Sequence, residues 1–528
     1  MGEYKVLITT SGLGSRLGDL TSFTNKALVR VGDKPSISHI IENYDEDIEI
    51  VVTVGHYKNH VVDFLQLAYP ERKFTFVEVE KFKGEGSSLG LSMFCAREHL
   101  QCPFVFNVCD ALVKEGVRAP NVNWVGGCLK QNNSQYRAIV SQGENFHKFK
   151  EKGESREGDL AYVGLCGIKD YDLFWDELEF LTNNETRLDI SDCHVINRMA
   201  SSGTHFEITN CKTWLDTGNT AELHASRSKL HSEMSVLDKV DENIFMINDS
   251  VIKFFHNKNI SKKRVSRASA LQGIVPKITG HQNNFYKYKK VEGELFSRTV
   301  TEKSFDSFLE WCFGDLWQPT ATPKNFEESC ASFYFDKTQE RLLKFHQITG
   351  LTDKKETINN LECKPAKEVL SALKKYKLEK GTPCKFHGDC ILDNVIETEG
   401  QFTLIDWRQD FAGGEIGDVY YDLAKLNHNL TFNHDLVAAG HYSVDFLRSI
   451  HNEHFLRPTG IKVDILQSNR LLRCREVLYS FMLRHGYDVK KVEILTSLIW
   501  LNMAPLHDGN LKFFLFYFGK FYLNKYVP

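Results

Sequence analysis

Ser11-Gly12-Leu13-Gly14-Ser15-Arg16-Leu17, followed by Asn25-Lys26-Ala27-Leu28, decides how the first half of this chain is read. An apolar run at residues 5–10 leads into the two glycines, and a helical segment follows them. A glycine turn between strand and helix lets backbone N–H groups approach a phosphate closely, and the helix start adds positive potential. Arg16 and Lys26 supply two cations beside that turn. Together they can neutralise a triphosphate and the charge that builds during attack at its α-phosphorus. Ser11, Gly12 and Gly14 are therefore assigned to nucleotide binding, and Arg16 and Lys26 to catalysis.

Around this turn, short apolar runs at 48–54, 74–79, 104–108 and 124–129 alternate with amphipathic segments at 36–43, 59–67 and 87–100. Strands are also expected at 161–168 and 205–208, with a helix at 191–199 between them. The alternation predicts an α/β fold, with a mostly parallel sheet covered on both faces. A helix at 220–237 runs into a polar connector, which places the domain boundaries at 1–228 and 235–528.

The second segment opens with short strands at 244–247, 251–255 and 285–289, the β-rich small lobe of residues 235–300. From 301 to 528 the pattern is helical, as at 305–313, 332–348 and 366–376, and the C-terminal hundred residues read as almost wholly helical and aromatic-rich. This is a bilobal arrangement. Its helical lobe contains His387-Gly388-Asp389-Cys390-Ile391-Leu392-Asp393-Asn394 and Leu404-Ile405-Asp406-Trp407. Asp389 is placed to accept or orient a substrate hydroxyl proton. Asn394, five residues on, and Asp406, at the end of the next strand, can hold Mg²⁺ against ATP. His387 reads as a loop-fixing residue.

At 528 residues the chain exceeds what one core supports, so two or three domains are expected. Its 42% hydrophobic and 25% charged content is that of a soluble protein. A net charge of -4 gives no general attraction to nucleic acid or anionic membrane. The 13 cysteines are odd in number and include no Cys-x-x-Cys pair, against both a disulfide framework and a zinc site. Cytoplasmic residence, small-molecule partners and a possible oligomer are expected, with neither nucleic acid nor membrane as partner. The apolar run at 513–518 reads as a buried helix.

The segment Gly12-x-Gly14-x-Arg16-Leu17, with Thr21, Lys26-Ala27-Leu28-Val29 and Lys34-Pro35, resembles the signature of the sugar-phosphate nucleotidyltransferases. That family includes glucose-1-phosphate thymidylyltransferase and the bacterial phosphocholine cytidylyltransferases, and the likeness extends along about 220 residues. It implies a Rossmann-like (GT-A-like) nucleotidyltransferase domain. It further implies base contacts from Gly84-Glu85-Gly86-Ser87-Ser88, chiefly Gly84, Ser87 and Ser88, and a first metal-binding aspartate at Asp110. Glu151-Lys152 and Gly164 would contact the acceptor. Trp214-Leu215-Asp216-Thr217-Gly218 would carry the second metal aspartate, Asp216. A Mg²⁺ between two such carboxylates offsets the repulsion between nucleotide and incoming phosphate.

The His-Gly-Asp-x4-Asn … Ile-Asp-Trp arrangement, continued by Gly417-Asp418-Val419-Tyr420-Tyr421-Asp422, resembles the aminoglycoside phosphotransferase and choline kinase family. It implies a protein-kinase-like domain, with Lys253 gripping ATP and the 286–294 segment as the adenine hinge. No acidic residue lies between Lys253 and Glu292, so the family's helix carboxylate for that lysine is missing. A basic stretch stands there instead: Lys258, Lys262, Lys263, Arg264 and Arg267.

The two resemblances together imply a bifunctional enzyme. ATP would phosphorylate a small alcohol, and a second nucleotide (CTP, UTP, GTP or dTTP) would then donate its nucleoside monophosphate to that phosphate. A sugar leading to an activated unit for surface polysaccharide is favoured by Trp214–Gly218. Choline or another amino alcohol, leading to a CDP-alcohol, is the close alternative, with Trp407 and the C-terminal aromatics as a cage for its ammonium. A reading of another class, a non-catalytic nucleotide sensor or assembly subunit, is disfavoured by the joint presence of Lys26, Asp110, Asp216, Asp389, Asn394 and Asp406.

Overall fold

The computed structural model describes residues 4–130, 133–142, 145–184, 189–230, 239–452 and 455–528. Two compact units are found: Met1–Lys262 with Ile278–Lys290, and Lys263–Lys277 with Val291–Pro528. None of the thirteen cysteines forms a disulfide among the described residues. Among the described residues no helix is long and apolar enough to cross a membrane.

The first unit is organised by strand Lys5–Thr9. Val6 and Ile8 enter one apolar cluster and Leu7 the other, so alternate side chains bury on opposite faces. The strand order is Phe74–Glu78, Ile50–Val54, Lys5–Thr9, Phe104–Val108, Leu160–Ile168, Trp124–Leu129, Glu207–Asn210, Asn145–Phe149, Ala138–Gln142. The first four are mutually parallel. Leu160–Ile168 then runs antiparallel to both of its neighbours, Phe104–Val108 and Trp124–Leu129. The expectation of a mostly parallel sheet is therefore corrected: the sheet is mixed, with antiparallel pairings after Phe104–Val108 and one further parallel pair, Trp124–Leu129 with Glu207–Asn210. Both faces are covered, as expected. The helix expected at 87–100 is broken into Leu89–Phe94 and a 3-10 turn, Arg97–His99. The helix expected at 220–237 is Thr220–Arg227, and residues 231–237 lie outside the described residues.

Four antiparallel strands follow, in the order Glu242–Ile247, Ser250–Phe255, Phe285–Lys289, Ile278–Gln282. Asn248, at φ 53°, makes the tight turn between the first two. Phe245, Ile247, Ile252, Phe254 and Phe285 share one core with Val61, Phe64 and Leu65 of helix Lys58–Ala68. The Phe64 ring lies 5.4 Å from Phe245 and 5.9 Å from Phe285. Asn283 Nδ2 donates to Asp63 Oδ2 at 2.8 Å, and Lys287 Nζ to the Leu67 carbonyl at 2.8 Å. This sheet thus groups by contact with the first unit, although in sequence it heads the second segment.

In the second unit helix Val419–Thr431 is capped by Asp418, whose side chain accepts the Tyr420 N–H. The C-terminal aromatic run lies in helix Gly509–Tyr526, with Phe516 stacked on Phe345 at 4.3 Å. The expectation of an almost wholly helical C-terminus is corrected by a long antiparallel hairpin, Tyr442–Asn452 with Phe455–Ile465. Its signal is the strict alternation of Ile461, Lys462, Val463, Asp464 and Ile465, in which the three apolar residues are buried and the two charged ones exposed.

Phe64→Ala removes a fully buried ring from the joint between helix and four-stranded sheet, at a cost of about 3–5 kcal/mol. Urea unfolding should register that loss, and amide exchange over 242–289 should accelerate. Unchanged protection in those strands would show that the sheet is not held by this core.

Candidate active sites

Thr9 and Val108 are register partners, so the chain leaves two adjacent parallel strands at the same edge of the sheet. Strand Lys5–Thr9 is also where the order reverses, with Ile50–Val54 on one side and Phe104–Val108 on the other. Such a switch point opens a crevice beyond the strand ends. The glycine turn emerges there from one strand and Asp110 from the other.

A two-stranded ladder brings in the second carboxylate. Ala111–Val113 pairs with Trp214–Asp216 so that Asp216 faces Ala111, beside Asp110. Thr217 N–H donates to the Asp110 carbonyl at 2.9 Å, and Gly218 N–H to Asp216 Oδ1 at 2.8 Å. A methyl group built on Gly218 would meet Asp216 Oδ1 at 3.1 Å, Arg16 Nη2 at 3.2 Å and Asp110 Oδ2 at 3.3 Å. Three charged groups from distant parts of the chain therefore face one small space, which glycine leaves open. Lys26 Nζ adds a fourth, 3.2 Å from Asp110 Oδ2.

Local geometry fixes Lys26. Gly14 has φ 69°, and a Cβ there would lie 2.8 Å from Lys26 Cβ, so only glycine lets the turn pass this close. Fully buried Asn25 accepts the Ala27 N–H at 2.9 Å and donates to the carbonyls of Thr10 at 2.8 Å and His56 at 2.6 Å. That side chain ties the ends of two strands to the start of the Lys26 turn.

The electrostatics separate the two carboxylates. Burial acts to raise the pKa of Asp110, but Lys26 and Arg16 outweigh it, and the group sits below its ordinary value. Asp216 is raised, by burial first and by the Asp110 charge, with the hydrogen bond from Tyr136 opposing. Lys26 is raised because Asp110 and Cys109 overcome its burial. Tyr136 OH donates to Asp216 Oδ2 at 2.7 Å, and Lys130 Nζ lies 4.1 Å from the centre of the Trp214 ring. Tyr136 and Lys130 were not singled out from sequence, since both lie on a segment without a glycine or acidic motif.

The remaining assigned residues are placed as follows. Ser11 Oγ hydrogen-bonds Ser92 Oγ at 2.8 Å, and Ser88 caps helix Leu89–Phe94, so the Gly84–Ser88 loop joins the glycine turn through that helix. Gly84 has φ 78°, and Ser87 Oγ donates to its carbonyl at 2.7 Å. Gly164, at φ 79°, leaves room for Val108, whose Cγ2 a Cβ would meet at 2.5 Å. Glu151 is exposed and ion-paired with Arg137 at 3.0 Å. Lys152 is exposed, with no hydrogen bond or ion pair among the described residues. Lys253 is buried in strand Ser250–Phe255 of the first unit.

In the second unit Asn394 Nδ2 donates to the Asp389 carbonyl at 2.9 Å and to Asp389 Oδ2 at 3.2 Å, and Ile405 N–H donates to the Asn394 carbonyl at 2.9 Å. Asp389, Asn394 and Asp406 are thereby brought together. Lys425 Nζ lies 2.7 Å from Asp389 Oδ1. Burial pushes the Asp389 pKa up, yet Lys425 more than compensates and leaves it lowered. Asp406, in the left-handed region at φ 60°, is ion-paired with Arg264. Buried Asp422 accepts the His387 and Gly388 N–H groups, both at 2.7 Å, and shapes the loop. Burial raises its pKa to about 6. His387 Nε2 meets the Ile405 carbonyl at 3.0 Å, and burial lowers its pKa to about 4, so it is neutral and fixes the loop. Lys425 lies seven residues past the cap residue Asp418, on helix Val419–Thr431, and that spacing is its signal in the sequence.

The two carboxylate pairs differ in fitness for a cation. Asp110 and Asp216 converge on an open space and repel each other, as a divalent-ion site requires. At Asp406 an ion would share the carboxylate with the Arg264 guanidinium. Among the described residues no group of three or more His, Cys, Asp or Glu has metal-holding geometry. Trp407 is fully buried with its Nε1 donating to the Arg264 carbonyl at 2.8 Å, and Phe514, Phe516 and Phe518 are buried, so these rings are core.

No family model matches the chain. In sequence it is similar to the bifunctional protein GlmU of Methanocaldococcus jannaschii, 21% identical over 255 residues, covering 47% of this chain and 60% of that protein. GlmU of Methanococcus vannielii is 31% identical over 84 residues, 16% of this chain and 20% of that protein. The chain thus spans about three fifths of the first relative's length and about a fifth of the second's. Among solved structures it is similar to a Bacillus anthracis protein described as a glucose-1-phosphate thymidylyltransferase: 17% identity, 45% of this chain, 98% of that one, TM-score 0.38. It is also similar to the CTP:phosphocholine cytidylyltransferase of Streptococcus pneumoniae: 15% identity, 43% of this chain, 99% of that one, TM-score 0.37.

Proposed function

We propose that the N-terminal region is a nucleotidyltransferase acting on a phosphorylated small molecule, and that the downstream region, residues 235–528, is the kinase that makes that phosphate from ATP. The observation that carries the first half is the meeting of Arg16, Asp110 and Asp216 around Gly218, with Lys26 on Asp110. In the proposed reaction an acceptor phosphate oxygen bonds to the α-phosphorus of CTP, UTP, GTP or dTTP, the bond to the β-phosphate breaks, and pyrophosphate leaves. Arg16 and Lys26 face the charge that develops on the transferring group. Ser11, Gly12, Gly14 and the Gly84–Ser88 loop hold the nucleotide, and Glu151, Lys152 and Gly164 the acceptor. A magnesium ion held by Asp110 and Asp216 would supply charge neutralisation between the two phosphates.

The kinase reading rests on the Asp389–Asn394 contact and on Lys425, which holds Asp389 ionised. A carboxylate with lowered pKa is a weak base, so Asp389 orients the attacking hydroxyl and takes its proton late. Asn394 and Asp406 are the proposed ligands of the ATP-bound ion. A sugar-like acceptor is the favoured substrate; a choline cage built on Trp407 has no support from its buried position.

Two experiments test this. Asp110→Asn should lower pyrophosphate release by about two orders of magnitude or more and spare ATP-dependent phosphorylation, whereas Asp389→Asn should do the reverse. Two variants that behave like the parent would refute catalysis at either site. The second concerns pH. Asp216 is raised by burial, and the Tyr136 hydrogen bond holds it lower than burial alone would. Because the proposed role needs Asp216 ionised, nucleotidyl transfer should fall off on the acid side as that group protonates. Tyr136→Phe should move this acid limb to higher pH, and a limb that stays put would mean that Asp216 does not govern it.

A further inference from the structure

Beside Asp389 the second unit holds a group of cations that phosphoryl transfer from ATP does not by itself explain. Helix Lys337–Thr349 carries Lys337 and Arg341 four residues apart, a like-charge spacing that disfavours a helix. Lys337 Nζ lies 4.1 Å from the centre of the Phe333 ring and 5.9 Å from that of Tyr421. The Arg408 guanidinium lies 5.1 Å from the same Phe333 ring. Phe333 itself is buried in a π-helical turn, Ser332–Asp336, of the kind frequent at functional sites. Lys425, one turn beyond Tyr421, completes the group through its contact with Asp389.

The charges do not balance. Among the described residues the side chains of Lys337 and Arg341 have no hydrogen bond or ion pair, and Arg408 donates its Nε–H to the Asp410 carbonyl, a neutral group. Burial drives the Lys337 pKa well below its ordinary value, and Arg408, Arg341 and Lys425 drive it further, with Asp389 opposing. Glu340 offsets Arg341 in part. Asp389 is already paired with Lys425. A partly buried excess of cations is costly unless an anion completes it.

We propose that Lys337, Arg341 and Arg408 bind an anionic group on the kinase's acceptor, so that the substrate is a small alcohol carrying a carboxylate or phosphate besides the hydroxyl to be phosphorylated. This rests on the reading of Asp389 as the phosphoryl-transfer centre. In the reaction the acceptor hydroxyl oxygen bonds to the γ-phosphorus of ATP, the bond from that phosphorus to the β–γ bridging oxygen breaks, and ADP leaves. The hydroxyl proton passes to the Asp389 carboxylate and on to solvent. The same field repels an ammonium-bearing alcohol, which sets specificity by exclusion as well as by attraction.

The test offers the full-length protein ATP with matched acceptors: glycerol, glycerate, glycerol phosphate, glucose, gluconate, choline and ethanolamine. Acidic members should exceed their neutral counterparts in kcat/KM by about tenfold or more, and the glycerate and glycerol phosphate arms separate carboxylate from phosphate. Lys337→Met and Arg341→Gln, each checked by thermal melting, should raise the KM for the acidic acceptor by about tenfold and change kcat far less. Preference for neutral or cationic alcohols, with turnover still dependent on Asp389, overturns this inference alone. So does a rise confined to the KM for ATP, which would assign the cations to the nucleotide. Failure to phosphorylate any acceptor, charged or neutral, overturns the kinase reading and this inference with it.

Discussion

The parallel register of Lys5–Thr9 with Phe104–Val108 is the constraint on which the first site depends. It brings the glycine turn and Asp110 out of the sheet side by side. A one-residue slip would reverse every side chain of a strand whose two faces are both buried, so the register is strongly specified. The second carboxylate arrives by another ladder, Ala111–Val113 with Trp214–Asp216, anchored by the Thr217–Asp110 and Ser226–Asp216 hydrogen bonds. Backbone pairing therefore positions groups that are about a hundred residues apart, and side-chain chemistry only refines what the sheet has placed.

Both candidate sites use the same electrostatic device. A buried aspartate would favour its neutral form, and in each case a lysine from another element holds it ionised: Lys26 at Asp110 and Lys425 at Asp389. The neighbouring carboxylates differ. Asp216 lacks a lysine so close and is raised, whereas Asp406 is met by Arg264. The opposite shifts of Asp110 and Asp216 are typical of a site that handles charge rather than of plain surface.

Much of the first unit could be read from sequence, because its strands are short and apolar and its turn carries Gly14, whose φ of 69° and approach to Lys26 leave no room for a side chain. Trp124–Leu129 and Phe104–Val108 were predicted to the residue. What escaped reading has physical causes. Helix Lys258–Ala270 buries Ser261, Arg264 and Arg267 and, of apolar residues, only the small Ala268, so no hydrophobic period marks it and it read as a solvated basic face. The Arg267 guanidinium instead donates to the carbonyls of Phe386 and Arg408. Strand Ala138–Gln142 is short and polar at its end, and the hairpin strand Tyr442–Asn452 is half-buried at 442–444 and exposed at 445–447. The partners of the assigned residues, Tyr136, Lys425 and Arg264, depend on which elements pack together, and spacing along the chain does not encode that. Lys337 and Arg341 are visible as a pair at helical spacing, but only the place of Lys337 on the Phe333 ring that Arg408 also faces gives the pair a meaning.

The proposed nucleotidyl transfer requires that two distant aspartates act on one ion beside the glycine turn. A crystal of the full-length protein with Mn²⁺ and a non-hydrolysable nucleoside triphosphate examines this through anomalous scattering. The account predicts a manganese peak about 2.1 Å from a carboxylate oxygen of both Asp110 and Asp216, with the triphosphate against Gly12 and Gly14. A nucleotide bound with its metal away from either aspartate would contradict it.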